Sequence, residues 1–196
     1  MIKPGIDFKA EAKSWGLYFT TILCSIFIHE LGHCMVAWIN GFSAIPTPAK
    51  AYLTTSIPPH LMNYFSLGGI LGSIIFTLTI FPVYLFSSYK FKSALLAGAI
   101  AMPAIYSLRL LLQGRGHDGT EFQQAQAALG FNYSGHFLDG LFLVLFILGT
   151  ALWIFKGKPT YKIAGRLLLG AVLTVVFVVW VQNINNAIFD PLFRRD

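Results

Sequence analysis

Three ionisable residues with the spacing of a metal-binding motif lie inside the first long apolar stretch of the chain. His29, Glu30 and His33 form the pattern His-Glu-x-x-His, and the residues around them are mostly apolar. On a helix both imidazoles project from one face, where they can supply two of the ligands that zinc needs. Glu30 lies beside that face and can take a proton from water that the metal activates. Because ionisable groups in an apolar span are costly, the pattern predicts a zinc site with Glu30 as its base.

A catalytic zinc site needs a third protein ligand, for which the sequence offers several candidates. They are Asp118, Asp139, Glu121, His117, His136 and His60. Asp118 follows a glycine-rich break, where irregular backbone can line a cavity. Asp139 begins a later apolar segment, where the helix dipole already favours an acid. Glu121 and His117 are one turn apart and could pair as a surface contact, and the other two histidines are read as loop surface.

Most of the chain is too apolar for a protein that folds in water. Charged residues make up 11% of it, against about 25% in soluble domains. Five segments are long enough to cross about 30 Å of hydrocarbon, and in lipid each must be a helix. They are residues 15–39, 66–88, 93–112, 137–155 and 164–184. We therefore predict an all-α, multi-pass integral membrane protein with about five transmembrane helices in a single domain, residues 1–196.

The formal net charge of +6 does not indicate nucleic acid as a partner. The lysines and arginines fall between the apolar segments and form no single basic face, which is how membrane proteins distribute them. The partner that this pattern predicts is the lipid bilayer.

Two connections between the apolar segments have a distinctive composition. Residues 41–65 contain four prolines, which exclude helix through most of the stretch, and Lys50–Ser56 within it is strand-like. Residues 113–136 open with a glycine-rich turn and continue into a helical stretch, about Thr120 to Leu129, that could lie on the membrane surface. The sequence thus predicts a short strand-like loop after the first helix and a short helix after the third.

Over roughly residues 15–130 the chain resembles the site-2 protease family of intramembrane zinc metalloproteases. In that family the first core helix carries His-Glu-x-x-His, and the second opens with small residues, as Leu67–Ser73 does here. Its third core helix leads into an Asp-Gly whose aspartate is the third zinc ligand. By the order of the core helices the resemblance assigns this role to Asp118, with Asp139 as the alternative. Residues 131–196 would add two transmembrane helices to the core.

Two family patterns are altered in this chain. The second helix usually contains Gly-Pro-x-x-Asn, but here Gly69 is followed by Ile70, and Ser73 stands at the Asn position. An Asn-x-x-Pro stretch usually precedes Asp-Gly, whereas here Gln113-Gly-Arg-Gly precedes His117. The resemblance is therefore to a divergent member.

The resemblance implies hydrolysis of peptide bonds inside the membrane. Zn²⁺ held by His29, His33 and Asp118 would activate water, with Glu30 as the base. The substrate would be a transmembrane segment of another protein, held extended along Lys50–Ser56 by edge pairing. Two alternatives stay open: a non-proteolytic membrane protein that binds a metal or haem through its histidines, and a zinc scaffold without activity.

Two arguments about membrane orientation disagree. The positive-inside rule places the N-terminus in the cytoplasm, because the N-terminal segment and the second and fourth loops carry more lysine and arginine than the opposite side. The family core would run its first helix the other way. In a prokaryotic cell the membrane would be the plasma membrane.

Overall fold

A computed structural model of the protein describes residues 7–101, 117–130 and 163–193, together with positions 144, 147 and 148. For 117–119 and 163–167 it describes the backbone alone. The described elements, in chain order, are α1 (Phe8–Ile39), β1 (Ala44–Thr47), β2 (Lys50–Leu53), α2 (Pro59–Phe86), α3 (Lys92–Ala101), α4 (His117–Ala128) and α5 (Ile163–Phe193).

Three of these helices are long and apolar enough to cross a membrane: α1, α2 and the part of α5 from Leu168 to Phe193. This confirms the prediction of a mainly helical protein, and the three apolar helices are compatible with a membrane protein. Of the predicted segment 93–112, the structure describes the helix only as far as Ala101. The predicted segment 137–155 lies outside the described residues apart from three isolated helical positions.

Glycines allow α1 and α2 to cross with their backbones nearly in contact. A methyl group at Gly32 would overlap the carbonyl of Gly68, and one at Gly72 would lie 2.6 Å from the carbonyl oxygen of Ile28. Ile28 therefore faces Gly72 and Gly32 faces Gly68, so the two helices are antiparallel. The close approach that the spacing of Gly68 and Gly72 predicts is present in the structure.

Small residues of α3 pack against the other side of α1. Ala94, Ala97 and Ala101 form a buried cluster with Tyr18, Ile22 and Ile26, which recur along α1 at helical spacing. The carbonyl of Ala99 accepts hydrogen bonds from Ser25 of α1 at 3.2 Å and from Thr77 of α2 at 3.3 Å. The three helices therefore meet around one interior, with α3 parallel to α1.

The loop between α1 and α2 is a two-stranded antiparallel hairpin with Pro48 and Ala49 at its turn. The strand-like interpretation of Lys50–Ser56 is confirmed as far as Leu53. The first strand, Ala44–Thr47, was not predicted. Pro46 pairs with Ala51. Because Thr54 N donates a hydrogen bond to Ser43 O, the pairs along the hairpin alternate from there between hydrogen-bonded and non-hydrogen-bonded positions. By that alternation Pro46 lies at a position where the ladder needs no N–H.

The second proline pair does not exclude helix, contrary to the prediction for residues 41–65. Helix α2 begins at Pro59, with Pro58 as its N-cap. Proline is favoured at a first helical position, because the N–H it lacks would have no partner within the helix. The second helix is therefore longer at its start than the predicted segment 66–88.

Helix α5 runs parallel to α1, and the N-terminal halves of the two helices are in contact. Tyr18 hydrogen-bonds Thr174 at 3.0 Å, and the ring centroids of Phe19 and Phe177 lie 4.9 Å apart. The helix continues nine residues beyond the predicted end of the segment 164–184, to Phe193. Asn185, in the part of the helix beyond residue 184, is buried and accepts a hydrogen bond from the amide of Ala49.

Candidate metal centre

The two histidines of the motif converge on one point in the interior between α1 and α2. His29 and His33 are both buried, and their Nε2 atoms lie 3.2 Å apart. Their spacing of four residues places both rings on the face of α1 that packs against α2. His29 and His33 lie 10 and 6 residues before the end of α1 at Ile39, which corresponds to about 15 and 9 Å along the helix axis.

Glu121 of α4 completes a triangle with the two imidazoles. Its Oε1 lies 3.0 Å from Nε2 of His29 and 3.3 Å from Nε2 of His33. Among the described residues, these three form a group that could hold a metal ion. The structure thus brings the acid of α4 to the motif, although the sequence is more readily interpreted as giving Glu121 a surface contact.

The spacing of these atoms fits the coordination shell of a single ion. Tetrahedral ligands about 2.0–2.1 Å from zinc are about 3.3–3.4 Å from one another, close to the separations found here. Oε1 of Glu121 is buried, and its nearest polar neighbours given by the structure are the two Nε2 atoms. A buried carboxylate oxygen beside two ring nitrogens is costly unless a cation or a proton lies among them. The donor set therefore fits a metal ion.

Hydrogen bonds on the outer side of the rings assign Nε2 as the ligand atom. Nδ1 of His33 lies 2.7 Å from the carbonyl oxygen of Phe65, which can only accept, so Nδ1 carries the proton. Nδ1 of His29 hydrogen-bonds Oγ of Ser73 at 3.0 Å. When His29 donates in this bond, both Nε2 lone pairs point to the common centre. Metal-binding histidines are commonly held in this way.

Gly69 makes room for the rings at the crossing of α1 and α2. A methyl group at this position would overlap the ring of His33 and would lie 2.9 Å from Nε2 of His29. The ring of Phe65, one turn earlier on α2, stacks on His33 with centroids 4.6 Å apart. One face of α2 therefore holds the imidazoles in three ways: Gly69 leaves space for them, the Phe65 ring stacks on His33, and Ser73 and the Phe65 carbonyl form hydrogen bonds with them.

Helix α4 is fixed to α2 by apolar packing and by a polar contact. Phe122 and Ala125 are buried against Ile70, and Ser66 donates a hydrogen bond of 2.6 Å to Gln124. These contacts hold Glu121 over the histidines. Burial raises the pKa of the Glu121 carboxyl, but neighbouring imidazoles that carry a proton lower it by more, so this pKa lies below its usual value.

Glu30 lies next to this group without being part of it. Its side chain is buried, and the backbone amide of Ala51 in β2 is within hydrogen-bonding reach of its carboxyl group. In the alternation of the hairpin, the N–H of Ala51 points away from β1, so the outer edge of β2 faces Glu30. The carboxyl group is thus close to the metal group but is held by a different element.

The other residues that the sequence offered as a third ligand lie in three different parts of the chain. His60 is exposed in the first turn of α2, as a surface residue. Asp118 and His117 lie in the first turn of α4, which begins three residues earlier than predicted, and their side chains are outside the description. Asp139 and His136 lie outside the described residues. The assignment of the third ligand to Asp118 therefore stays a prediction, while Glu121 is the acid that the structure places beside the histidines.

We compared the chain with protein families, curated proteins and solved structures. No protein-family model, no curated protein and no solved structure matches this chain.

Proposed function

We propose that this protein is an intramembrane zinc metalloprotease similar to the site-2 protease family. The observation that carries the proposal is the convergence of His29, His33 and Glu121 on one point, with Glu30 buried beside them. Two imidazoles and a carboxylate are the ligand set of many catalytic zinc sites, which keep the fourth position open. The resemblance of residues 15–130 to the family rests on the sequence motifs alone.

In this proposal His29, His33 and Glu121 hold the metal, and Glu30 moves the proton. A zinc ion in this site supplies Lewis acidity, which activates water for attack on a peptide carbonyl. Glu30 accepts the proton of that water and passes it to the leaving amine. Phe65 and Ser73 hold the two rings in the orientation that presents Nε2.

The location of the site favours a membrane-embedded segment as the substrate. The histidines lie within α1, which is long and apolar enough to cross a membrane, about 9–15 Å from its C-terminal end. A transmembrane helix must unwind before its peptide bonds can be cut, and an extended chain can pair with the free edge of a strand. The outer edge of β2, at Ala51, offers such an edge beside Glu30.

The directions of the described helices support five membrane crossings. Helix α2 runs back along α1, so that it ends on the side of the N-terminus, yet Glu121 of α4 lies in the C-terminal half of α1. Gly170 of α5 is again near Trp15, on the side of the N-terminus. These directions favour one crossing between α2 and α4 and another between α4 and α5, where the segments 93–112 and 137–155 are predicted to span.

Binding of another metal without proteolysis is the second candidate function. Two histidines and one carboxylate also form the ligand set of non-haem iron(II) sites. A haem is disfavoured, because the two Nε2 atoms are 3.2 Å apart on one helix face and leave no room for a porphyrin plane between them. The buried Glu30 favours the protease, since a site that only stores a metal has no use for a second carboxyl group.

Replacement of the base tests the proposed function. Glu30→Gln keeps the size of the side chain but cannot accept a proton, so it should retain the metal and lower cleavage by about 10²-fold or more. The assay uses the purified full chain with a tagged single-span membrane protein as the substrate, and metal content is measured on the same sample. Cleavage by Glu30→Gln at the wild-type rate would rule out the mechanism.

A further inference from the structure

Helix α5 lies outside the core that the family resemblance covers, yet its C-terminal half contacts the hairpin beside the site. Asp190 Oδ1 accepts a hydrogen bond of 2.5 Å from the hydroxyl group of Tyr52 and lies 3.1 Å from Nζ of Lys50. Oδ1 of Asn185 accepts a hydrogen bond of 3.3 Å from the amide of Ala49 in the turn. The ring of Phe193 lies near Tyr52, with centroids 5.5 Å apart.

These contacts differ in strength. The hydrogen bond from Tyr52 to the carboxylate of Asp190 is charge-assisted, and its donor Tyr52 is buried, with 4% of the residue exposed. The ion pair with Lys50 is on the surface, where the lysine side chain is 46% exposed. Such exposed pairs contribute little to stability. Tyr52 is therefore the main point at which Asp190 holds β2.

The hairpin needs such an anchor. Each of its strands has four residues, and an isolated two-stranded hairpin is marginally stable at best. Ala44 is buried against Cys34 and Ala37 of α1, which fixes the open end of the hairpin. The contacts with α5 fix the end near the turn, and Ala51 lies next to Tyr52 in the part that α5 holds.

We propose that Asp190 is a positioning residue for hydrolysis, which acts through Tyr52 to hold the outer edge of β2 against Glu30. Asp190 contacts the hairpin at Tyr52 and Lys50. It fixes Tyr52, and Tyr52 fixes the adjacent amide of Ala51, which lies within reach of the Glu30 carboxyl group. This inference rests on the proposed function, since it gives α5 a role in the orientation of the base.

Three variants of the full chain test the proposal. Tyr52→Phe removes only the hydroxyl group, Asp190→Ala removes the acceptor, and Asp190→Asn keeps an oxygen that can accept. We expect kcat to fall about 10-fold or more in the first two variants, because small displacements at a reacting group are costly, while KM changes less than about 2-fold. Asp190→Asn should recover part of the loss. Metal content and the melting temperature in detergent should stay near wild type in Tyr52→Phe.

Tyr18→Phe is the matched control for the contacts of α5. It removes another buried hydroxyl group that hydrogen-bonds this helix, at Thr174, far along the helix from the residues that contact the hairpin, so kcat should stay within about 2-fold of wild type. A wild-type kcat in Tyr52→Phe would overturn the proposal. An equal loss of kcat in Tyr18→Phe would overturn it as well, because the effect would then follow from any weakened contact with α5 and not from the anchoring of the hairpin.

Hydrogen exchange of the hairpin separates this inference from the proposed function. Amides of residues 44–53 should exchange faster in Tyr52→Phe and Asp190→Ala than in wild type, whatever reaction the protein catalyses. If wild type cleaves nothing and the exchange still rises, the proposed function fails and the anchoring of the hairpin stands. If wild type cleaves and the exchange is unchanged, Asp190 does not position β2 and the inference fails alone.

Discussion

The hydrogen bonds on the outer side of the two imidazole rings decide which nitrogen atoms can bind a metal. Ser73 bonds Nδ1 of His29, and the carbonyl of Phe65 accepts from Nδ1 of His33. Ser73→Ala should therefore weaken zinc binding about 10- to 100-fold, because the ring of His29 loses the contact that fixes its tautomer and orientation. A competition titration of the purified protein with a zinc chelator measures this change.

Thr77→Ala is the control for Ser73→Ala. Thr77 lies one turn later on α2, and its hydroxyl group bonds the carbonyls of Ser73 and Ala99 and no ring. Its loss should lower the melting temperature but leave the zinc dissociation constant within about 2-fold of wild type. Equal zinc affinities for Ser73→Ala and wild type would show that the hydroxyl group does not orient His29.

At the scale of single residues, the sequence predicted the motif but not its surroundings. His29, Glu30 and His33 could be identified because their spacing on a helix is sufficient to place them together. Glu121 could not be chosen, since its approach depends on how α4 packs against Ile70, which no local pattern specifies. Ser73 was noted only as a departure from the family pattern, yet its hydroxyl group contacts His29.

At the scale of elements, the crossing of α1 and α2 depends on positions that tolerate no side chain. Gly69→Ala would place a methyl group against the ring of His33. We expect it to cost about 1–3 kcal/mol of stability and to reduce metal binding, because the ring must leave its position. The melting temperature and the metal content of the purified protein report the two effects.

The matched control for this substitution is Gly16→Ala. Gly16 is an exposed position of α1 with nothing within 4 Å of an added methyl group. Alanine has the higher helix propensity, so this change should be neutral or should stabilise by up to about 1 kcal/mol. Similar losses of metal in both variants would contradict the role assigned to Gly69.

The elements that the sequence predicted least well involve proline. Four prolines between α1 and α2 indicated irregular backbone, but Pro59 begins a helix and Pro46 lies in a strand. Both positions tolerate a residue without an N–H. At Pro59 the N–H would have no partner in the first turn of the helix, and at Pro46 it would point away from the paired strand. Proline content alone does not distinguish these positions from a loop.

At the scale of the whole molecule, the five proposed crossings would place the connecting segments on alternate sides. The N-terminus and a tag between residues 156 and 162 should be on one side, with the C-terminus and a tag between residues 130 and 136 on the other. The positive-inside rule makes the first of these sides cytoplasmic. With a single cysteine as the tag at each of these places, labelling by a membrane-impermeant reagent in sealed vesicles measures the side on which each one lies. A tag at 130–136 on the side of the N-terminus would contradict five crossings.

The central claim is that His29, His33 and Glu121 hold a zinc ion, and the metal content of the purified chain tests it most directly. We expect about one zinc per wild-type chain, retention of that zinc in Asp118→Asn, and a marked loss in Glu121→Gln, because three protein ligands are sufficient for a catalytic site. Wild-type protein that binds no zinc, or that binds iron in its place, would contradict the account. Loss of zinc in Asp118→Asn with retention in Glu121→Gln would contradict the assignment of the third ligand.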